Sequence, residues 1–305
     1  MDYELAIIGA GPAGFAAGIY ATRAGINTVL FDEGVGGGLM ALSPEIENYP
    51  GFKTISGLEL ADKMKEHVQK YMSINYGESV EKLKVAEDEV TVVTSKKTYK
   101  VGAVIIATGT VHRKLGIPGE GKLMGRGVSS CATCDGPFFK GKKAIVVGGG
   151  NSALIEAIFL KQIGLDVTVV HRRDVLRAED AYKDKALEAG VKIMYETHME
   201  EIVGENKVEK VLLHNVRSDA KLEMEVSAVF VSIGEEPQNQ LAKQIGVELD
   251  EKGYIKTDKN MRTNIKRVYA AGDITDGLRQ IVTACAEGTI AALTCTEVLG
   301  KVYPY

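Results

Sequence analysis

The chain has 305 residues, 45% of them hydrophobic and 26% charged, with a formal net charge of -4. That is enough chain for two domains of ordinary size, each with its own core, and an ordinary balance for a soluble globular protein. The charge argues against nucleic acid, which favours strongly basic faces, and apolar runs such as 104–107 fall far short of the roughly 20 residues a membrane helix needs.

The chain starts Met-Asp-Tyr-Glu and enters an apolar strand at once, without the basic start and long apolar core of a secretory signal, so a cytoplasmic protein is expected. Residues 4–8 read as that strand, and Gly9-Ala-Gly11-Pro12-Ala13-Gly14 as the loop behind it. A helix is predicted over 13–24, ended by Gly25, and a second strand over 28–31. This is the βαβ setting a GxGxxG pattern requires: the glycines let the backbone approach a pyrophosphate, which sits at the helix N-terminus. Asp32 stands 23 residues after Gly9, at the strand end where an acid accepts hydrogen bonds from ribose hydroxyls. A loop rich in glycine and proline spans 34–51. A helix is predicted over 57–72 and strands over 89–94, 98–101 and 103–107, the last running into Thr108-Gly109.

Cys131-Ala-Thr-Cys134-Asp135 comes next. Two cysteines two residues apart can open and close a disulfide. Ser129 and Ser130 are candidate caps for a short helix over the pair, and a helix N-terminus promotes thiolate attack by lowering a thiol pKa. Asp135 is either a proton donor or a turn residue before Gly136-Pro137. Structural zinc needs four ligands. The other two cysteines, Cys285 and Cys295, lie ten apart in an apolar helix and read as small buried hydrophobes. The five histidines lack ligand spacing, and no metal site is expected.

A second βαβ unit follows, with a strand over 144–147, the loop Gly148-Gly-Gly150, a helix over 152–162 and a strand over 166–170. The same 23-residue step from Gly148 lands on His171, followed by Arg172, Arg173 and, further on, Arg177. Cations in place of the acid remove the repulsion of a 2′-phosphate and supply forks that match it, so this unit should prefer NADP(H). A solvated basic patch is the alternative, and the shared register weighs against it. A helix over 180–189, strands over 191–195, 208–214 and 226–233, and an exit linker at 234–237 complete this half. The tail holds a strand over 267–270, then Ala271-Gly272-Asp273, then an apolar helix over 280–299.

With these motifs in order, joined by Glu47-Asn48-Tyr-Pro-Gly51, Ala107-Thr108-Gly109 and Arg279-Gln280, the chain resembles the low-molecular-weight thioredoxin reductases of bacteria and archaea. The likeness covers nearly the whole chain. It implies an α/β fold of two Rossmann-like dinucleotide-binding domains, in the pyridine nucleotide-disulfide oxidoreductase class II arrangement. A discontinuous FAD-binding domain, 1–114 and 242–305, would receive as an insertion an NADPH-binding domain, 115–241, that carries the CxxC. FAD, bound tightly but not covalently, would be held by Gly9, Gly11, Pro12, Ala13, Gly14, Asp32, Glu33, Gly37, Gly38, Leu39, Asn48, Ala107, Thr108, Gly109, Gly272, Asp273, Arg279, Gln280 and Ile281. NADPH would be held by Gly148, Gly150, Asn151, Ser152, Ala153, His171, Arg172, Arg173 and Arg177.

The resemblance also implies a homodimer whose two domains rotate in turnover. Electrons would run from NADPH to FAD, to the Cys131–Cys134 disulfide, and on to a thioredoxin- or glutaredoxin-like protein. Cys134 would face the flavin and Cys131 would exchange with the partner, leaving Asp135 as the third catalytic candidate. Two positions depart from the family. Leu39 stands where Gly-Gly-Gln is common, and Ile155 stands where many members have an acid. A flavin-binding redox sensor without turnover is the rival reading from another class.

Overall fold

The computed structural model describes residues 1–43 and 45–303. It divides into two compact units whose bodies are residues 1–42, 46–111 and 236–303 for the first and 112–235 for the second. The chain thus crosses between units at 111–112 and 235–236, a few residues ahead of the expected crossings at 114–115 and 241–242. Pro304 and Tyr305, the end of the expected FAD-binding segment, and Pro44, in the predicted glycine- and proline-rich loop, lie outside the described residues.

The first unit runs β1 (Tyr3–Ile8), α1 (Pro12–Arg23), β2 (Thr28–Asp32), α2 (Gly57–Gln69), β3 (Ile74–Tyr76), β4 (Val80–Val85), β5 (Val90–Thr94) and β6 (Thr98–Ile106). The crossing strands are β7 (Thr110–His112) and β16 (Glu235–Pro237), and the first unit is completed by α7 (Gln240–Gln244), β17 (Val268–Ala270) and α8 (Ile281–Thr294). The sheet order is β3-β2-β1-β6-β5-β4, with β17 also on β6. Strands β1, β2, β3, β6 and β17 are parallel, and β4 and β5 are antiparallel additions. β6 is long enough to serve two neighbours on one edge: its first half pairs with β5 and its second half with β17.

Side chains alternate across the sheet, which splits the core in two. Leu5, Ile7 and Ile105 face Phe15, Ala17 and Ala21 of α1 and Ala284, Ala291 and Ala292 of α8. Ala6, Ile8, Val104 and Ile106 face the opposite way, onto Val90, Val92, Tyr99, Leu241 and Ile274. Burial on both faces is why β1 and β6 read as unbroken apolar runs. Each such Leu, Ile or Phe contributes on the order of 1.5–3 kcal/mol. α1 starts with Pro12 in its first turn, where the missing N–H costs nothing. α8 opens with a reciprocal cap between Gln280 and Thr283.

The second unit holds α3 (Glu120–Leu123), β8 (Val128–Ser129), α4 (Ala132–Asp135), β9 (Lys143–Gly148), α5 (Asn151–Gln162), β10 (Asp166–Val170), α6 (Asp180–Glu188), β11 (Lys192–Met194), β12 (Thr197–Val203), β13 (Lys210–Asn215), β14 (Ala220–Glu225) and β15 (Ala228–Ser232). A parallel sheet of order β11-β10-β9-β15-β8 carries α5 and α6 on one face. On the other face its core is shared with the antiparallel β12-β13-β14 meander.

Several expectations are corrected. The two strands predicted over 98–101 and 103–107 are one continuous strand, β6, and the strand predicted over 226–233 is β15, shortened at its start because the chain turns at Val226 and Ser227, whose N–H groups bond Glu209 and Lys143. The helix predicted over 280–299 ends at Thr294, beyond which the chain continues in turns. Strands β3, β4, β7, β8, β12 and β14 were not foreseen, nor was β16, in the stretch read as an exit linker.

Candidate active site

In the first unit, the residues expected to hold FAD converge at the carboxyl ends of the parallel strands, where open α/β sheets bind ligands. β1 runs into Gly9, whose φ of +107° only glycine adopts at ease, and a Cβ there would run into the carbonyl of Ala107. A Cβ on Gly14 would run into the Gly9 carbonyl. The strand-to-helix turn is therefore closed to side chains at Gly9 and Gly14, while Gly11 faces open space. α1 starts at Gly11 with no side-chain cap, so its first amides are free to meet an anion.

Asp32 accepts from Ala10 N–H at 2.8 Å through one oxygen, and from Gly34 N–H at 2.8 Å and Gly36 N–H at 3.3 Å through the other. A carboxylate has about four acceptor sites, so room is left for a ribose hydroxyl. Glu33 beside it is exposed. Gly37 donates to Ala10 O at 2.7 Å, and Gly38 and Leu39 open a 3-10 turn in which Leu39 is half-buried.

Ala107 N–H bonds Ile8 O at 2.8 Å, which sets 107–109 beside the glycine loop. The Thr108 hydroxyl is already committed to Gln238 O, at 2.8 Å. Asn48 donates to the Gln280 side chain at 3.1 Å, joining two residues 232 apart in sequence. Ile281 packs with Met40, Ile46 and Leu60. The Arg279 guanidinium stands 5.3 Å from the Tyr254 ring centre. The Gly272-Asp273 loop follows β17, with Ala271 N–H on Ile106 O at 3.1 Å.

Glu287, missed by the sequence reading, holds that loop in place. Its carboxylate accepts from Gly272 N–H at 2.7 Å and from the Thr275 hydroxyl at 3.2 Å. Burial pushes its pKa up, against the pull of those two bonds. The available signal was a single charge in an otherwise uncharged helix, Ile281–Thr294.

The second unit repeats the cradle. A Cβ on Gly148 would run into Ser232 O, and α5 starts at Gly150 without a side-chain cap. Ser152 is exposed on its first turn, and Ala153 is buried beneath. The arginine loop is stitched to this turn through backbone. Arg177 and Ala178 N–H both reach Gly149 O, at 2.7 and 3.1 Å. Asn151 donates to the Glu179 carboxylate at 2.8 Å and accepts the Glu179 N–H at 2.9 Å, a reciprocal pair that occupies its side chain. The side chains of Arg172, Arg173 and Arg177 are exposed. His171 is not: its ring is turned inward between backbone carbonyls. The three arginine side chains are thus open to solvent, whereas those of His171 and Asn151 are engaged within the loop.

Cys131 and Cys134 form a disulfide, with Cα atoms 5.3 Å apart. The short helix α4 covers the pair, but its cap is Cys131 itself rather than either serine: Cys134 N–H points at Cys131 Sγ, at 3.3 Å. Ser129 instead accepts the Cys131 N–H at 3.0 Å, and Ser130 supplies no cap. Both cysteines are half-buried. Asp135 is 8% exposed, and its Oδ1 is buried without a hydrogen-bond partner. Burial pushes its pKa up, opposed only by the Ser129 hydroxyl. It occupies the N-cap position of the following 3-10 turn, but its side chain makes no cap hydrogen bond there. Cys295 is fully buried, as expected, while Cys285 is half-buried and donates to Pro12 O at 3.7 Å.

The family model described as pyridine nucleotide-disulphide oxidoreductase matches residues 3–288. The thioredoxin reductase of Bacillus subtilis (strain 168) is 44% identical over 294 residues, 95% of this chain and 92% of that one. A 34.2 kDa protein in the rubredoxin operon of Clostridium pasteurianum is 44% identical over 300 residues, 97% of each chain. The solved thioredoxin reductase of Streptococcus pyogenes MGAS5005 aligns with a TM-score of 0.93 at 41% identity, covering 98% of both chains.

Proposed function

The chain belongs to the pyridine nucleotide-disulphide oxidoreductase family, and from that premise we propose that it is an NADPH-dependent thioredoxin-disulfide reductase. It is an enzyme, a flavoprotein oxidoreductase. The observation that carries the finer reading is a reducible Cys131–Cys134 pair in a chain with two nucleotide cradles. FAD in the first unit, when bound, supplies a carrier able to pass two electrons from a nicotinamide to a disulfide.

The chain's own residues divide the remaining tasks. The open N-termini of α1 and α5 receive the two pyrophosphates. Asp32 orients a free ribose, and Arg172, Arg173 and Arg177 take a 2′-phosphate. Once the disulfide is open, the Cys134 N–H aimed at Cys131 Sγ stabilises negative charge there, so Cys131 attacks the partner's disulfide. The attack expels one partner sulfur as a thiolate and leaves a mixed disulfide. Cys134 then attacks Cys131, which restores the intramolecular bond and frees the partner's second sulfur. The partner gains two electrons and, with two protons, leaves as a dithiol. Asp135, buried and with a raised pKa, holds a proton for a departing sulfur. The partner is a thioredoxin- or glutaredoxin-like protein, and the working form is a homodimer in the cytoplasm.

Stopped-flow mixing of the FAD-loaded protein with NADPH or NADH, followed by oxidised thioredoxin, tests this. Fast bleaching by NADPH, slower bleaching by NADH, and reoxidation by thioredoxin are expected. A flavin reduced equally well by both nucleotides overturns the donor assignment. A reduced protein that thioredoxin leaves untouched overturns the function.

A further inference from the structure

His171 lies in the register of a phosphate-binding residue, yet it is 5% exposed. Its Nδ1 is 3.1 Å from the Gly148 carbonyl oxygen and its Nε2 is 3.0 Å from that of Val175. The ring abuts Gly149, where a Cβ would run into it. A neutral imidazole carries one N–H. In either tautomer it satisfies one carbonyl and turns a lone pair on the other. Only the imidazolium donates to both. The two carbonyls belong to different parts of the nucleotide site: Gly148 ends β9 at the glycine loop, and Val175 lies midway between Arg173 and Arg177. A charged His171 thus ties the glycine loop to the arginine loop, and a neutral one releases one of them.

Two influences oppose the charged form and hold its pKa below the ordinary value: burial first, then Arg173 and Arg177, against the upward pull of the two carbonyls. The loop 148–150 brings no charge to the ring. On neighbouring elements, Glu179 is engaged with Asn151, and Glu196 pairs with Arg217 at 3.5 Å. Asp174 is exposed on the arginine loop itself.

We infer that His171 is a positioning residue that takes up a proton from solvent when a nucleotide bearing a 2′-phosphate binds, and none when that phosphate is missing. A dianion set among Arg172, Arg173 and Arg177 offsets their repulsion of the imidazolium and adds its own attraction against the cost of burial. Together with the two carbonyls it favours the charged ring, and the site closes around the phosphate. This rests on the NADP(H) reading above.

The test is titration calorimetry of NADP+ and NAD+ into the FAD-loaded protein, wild type and His171→Gln, at pH 7 and 8. Two buffers of different ionisation heat report protons exchanged. The nucleotide's own phosphate, with a second pKa near ~6, contributes equally to both proteins and cancels between them. Wild type is expected to take up more proton than H171Q with NADP+, and the same with NAD+. Its NADP+ affinity should also fall more steeply with pH, by up to tenfold per unit. Equal uptake by both proteins, with NADP+ still preferred over NAD+, overturns the inference. Equal affinity for the two nucleotides instead overturns the NADP(H) reading and the inference with it. If H171Q does not fold, the wild-type contrast between NADP+ and NAD+ at pH 8, where the nucleotide's own phosphate is already ionised, decides.

Discussion

Replacing Asp135 by Asn keeps the side chain's size and removes its proton. In the structure this carboxyl is 8% exposed, has one oxygen without a partner, and is pushed above the ordinary carboxylate range by burial. Positioned proton transfer contributes about 10²–10⁴-fold, which is about 3–5 kcal/mol of barrier. Asp135→Asn should therefore slow thioredoxin reduction by about that factor. Flavin reduction by NADPH, which precedes any sulfur chemistry, should keep its stopped-flow rate. In the wild type, the thioredoxin-linked rate should fall as pH rises through the raised value; in the variant it should be flat.

Stability should move the other way. A carboxyl whose folded pKa is raised contributes stability that is fully present below the unfolded value of about 3.9 and is lost as pH rises through the folded one. Measured against Asn, wild-type Asp135 should thus be most favourable in acid and least favourable at neutral pH. At pH 7, thermal unfolding should find Asp135→Asn no less stable than wild type. A variant that turns over thioredoxin at the wild-type rate but melts earlier would make Asp135 a structural residue and refute the reasoning.

Cys134→Ser should abolish thioredoxin reduction while NADPH still bleaches the flavin, because the electron path is cut after the cofactors; steady-state and stopped-flow assays run together separate the two. Arg172→Ala combined with Arg173→Ala should raise the KM for NADPH by about 10- to 100-fold. Each charge-assisted contact contributes about 1.5–3 kcal/mol, reduced toward about 1 kcal/mol by the exposure of both side chains. NADH kinetics should barely change, and equal effects on the two donors would remove the 2′-phosphate reading. Gly14→Val puts a branched side chain into the Gly9 carbonyl and should cost at least the ~1–3 kcal/mol of an overpacked core. It should yield protein that has lost FAD, seen as loss of visible absorbance on gel filtration, and full retention would show that the turn is not the cradle.

What could be read in advance follows from where the signal is local. Both βαβ units were legible because strand, glycine turn and helix are contiguous and obey simple periods. β3, β4, β12 and β14 were not. β3 is three residues long, β14 is almost wholly exposed and rich in Lys and Glu, and β4 and β12 have their few buried positions broken up by Lys or Glu. Their strand character comes from cross-strand partners outside the segment itself, as in Ile74 opposite Leu30. The same limit applied to the start of the 226–233 run. Its apolar residues gave no hint of the two hydrogen bonds, to Glu209 and Lys143, that delay β15 to Ala228.

The candidate site shows a sharper version of this. The glycines, Asp32 and the exposed arginines were placed by register, and the structure sets them at strand ends, helix starts and the loop beyond, where the spacing put them. Residues that act through others are silent in register. Glu287 works by holding Gly272 and Thr275, Glu179 by holding Asn151, and Ser129 by holding the Cys131 amide. None of these pairings follows a local motif. His171 is the instructive case, because register set it among the expected nucleotide residues while the structure buries its ring. That ring, 23 residues after Gly148, meets the glycine's own carbonyl, whereas at the same offset in the first unit Asp32 accepts from the Ala10, Gly34 and Gly36 amides. Spacing therefore fixes where a side chain stands relative to the phosphate turn. Burial and the groups facing it decide whether it touches the nucleotide or shapes the loop that does.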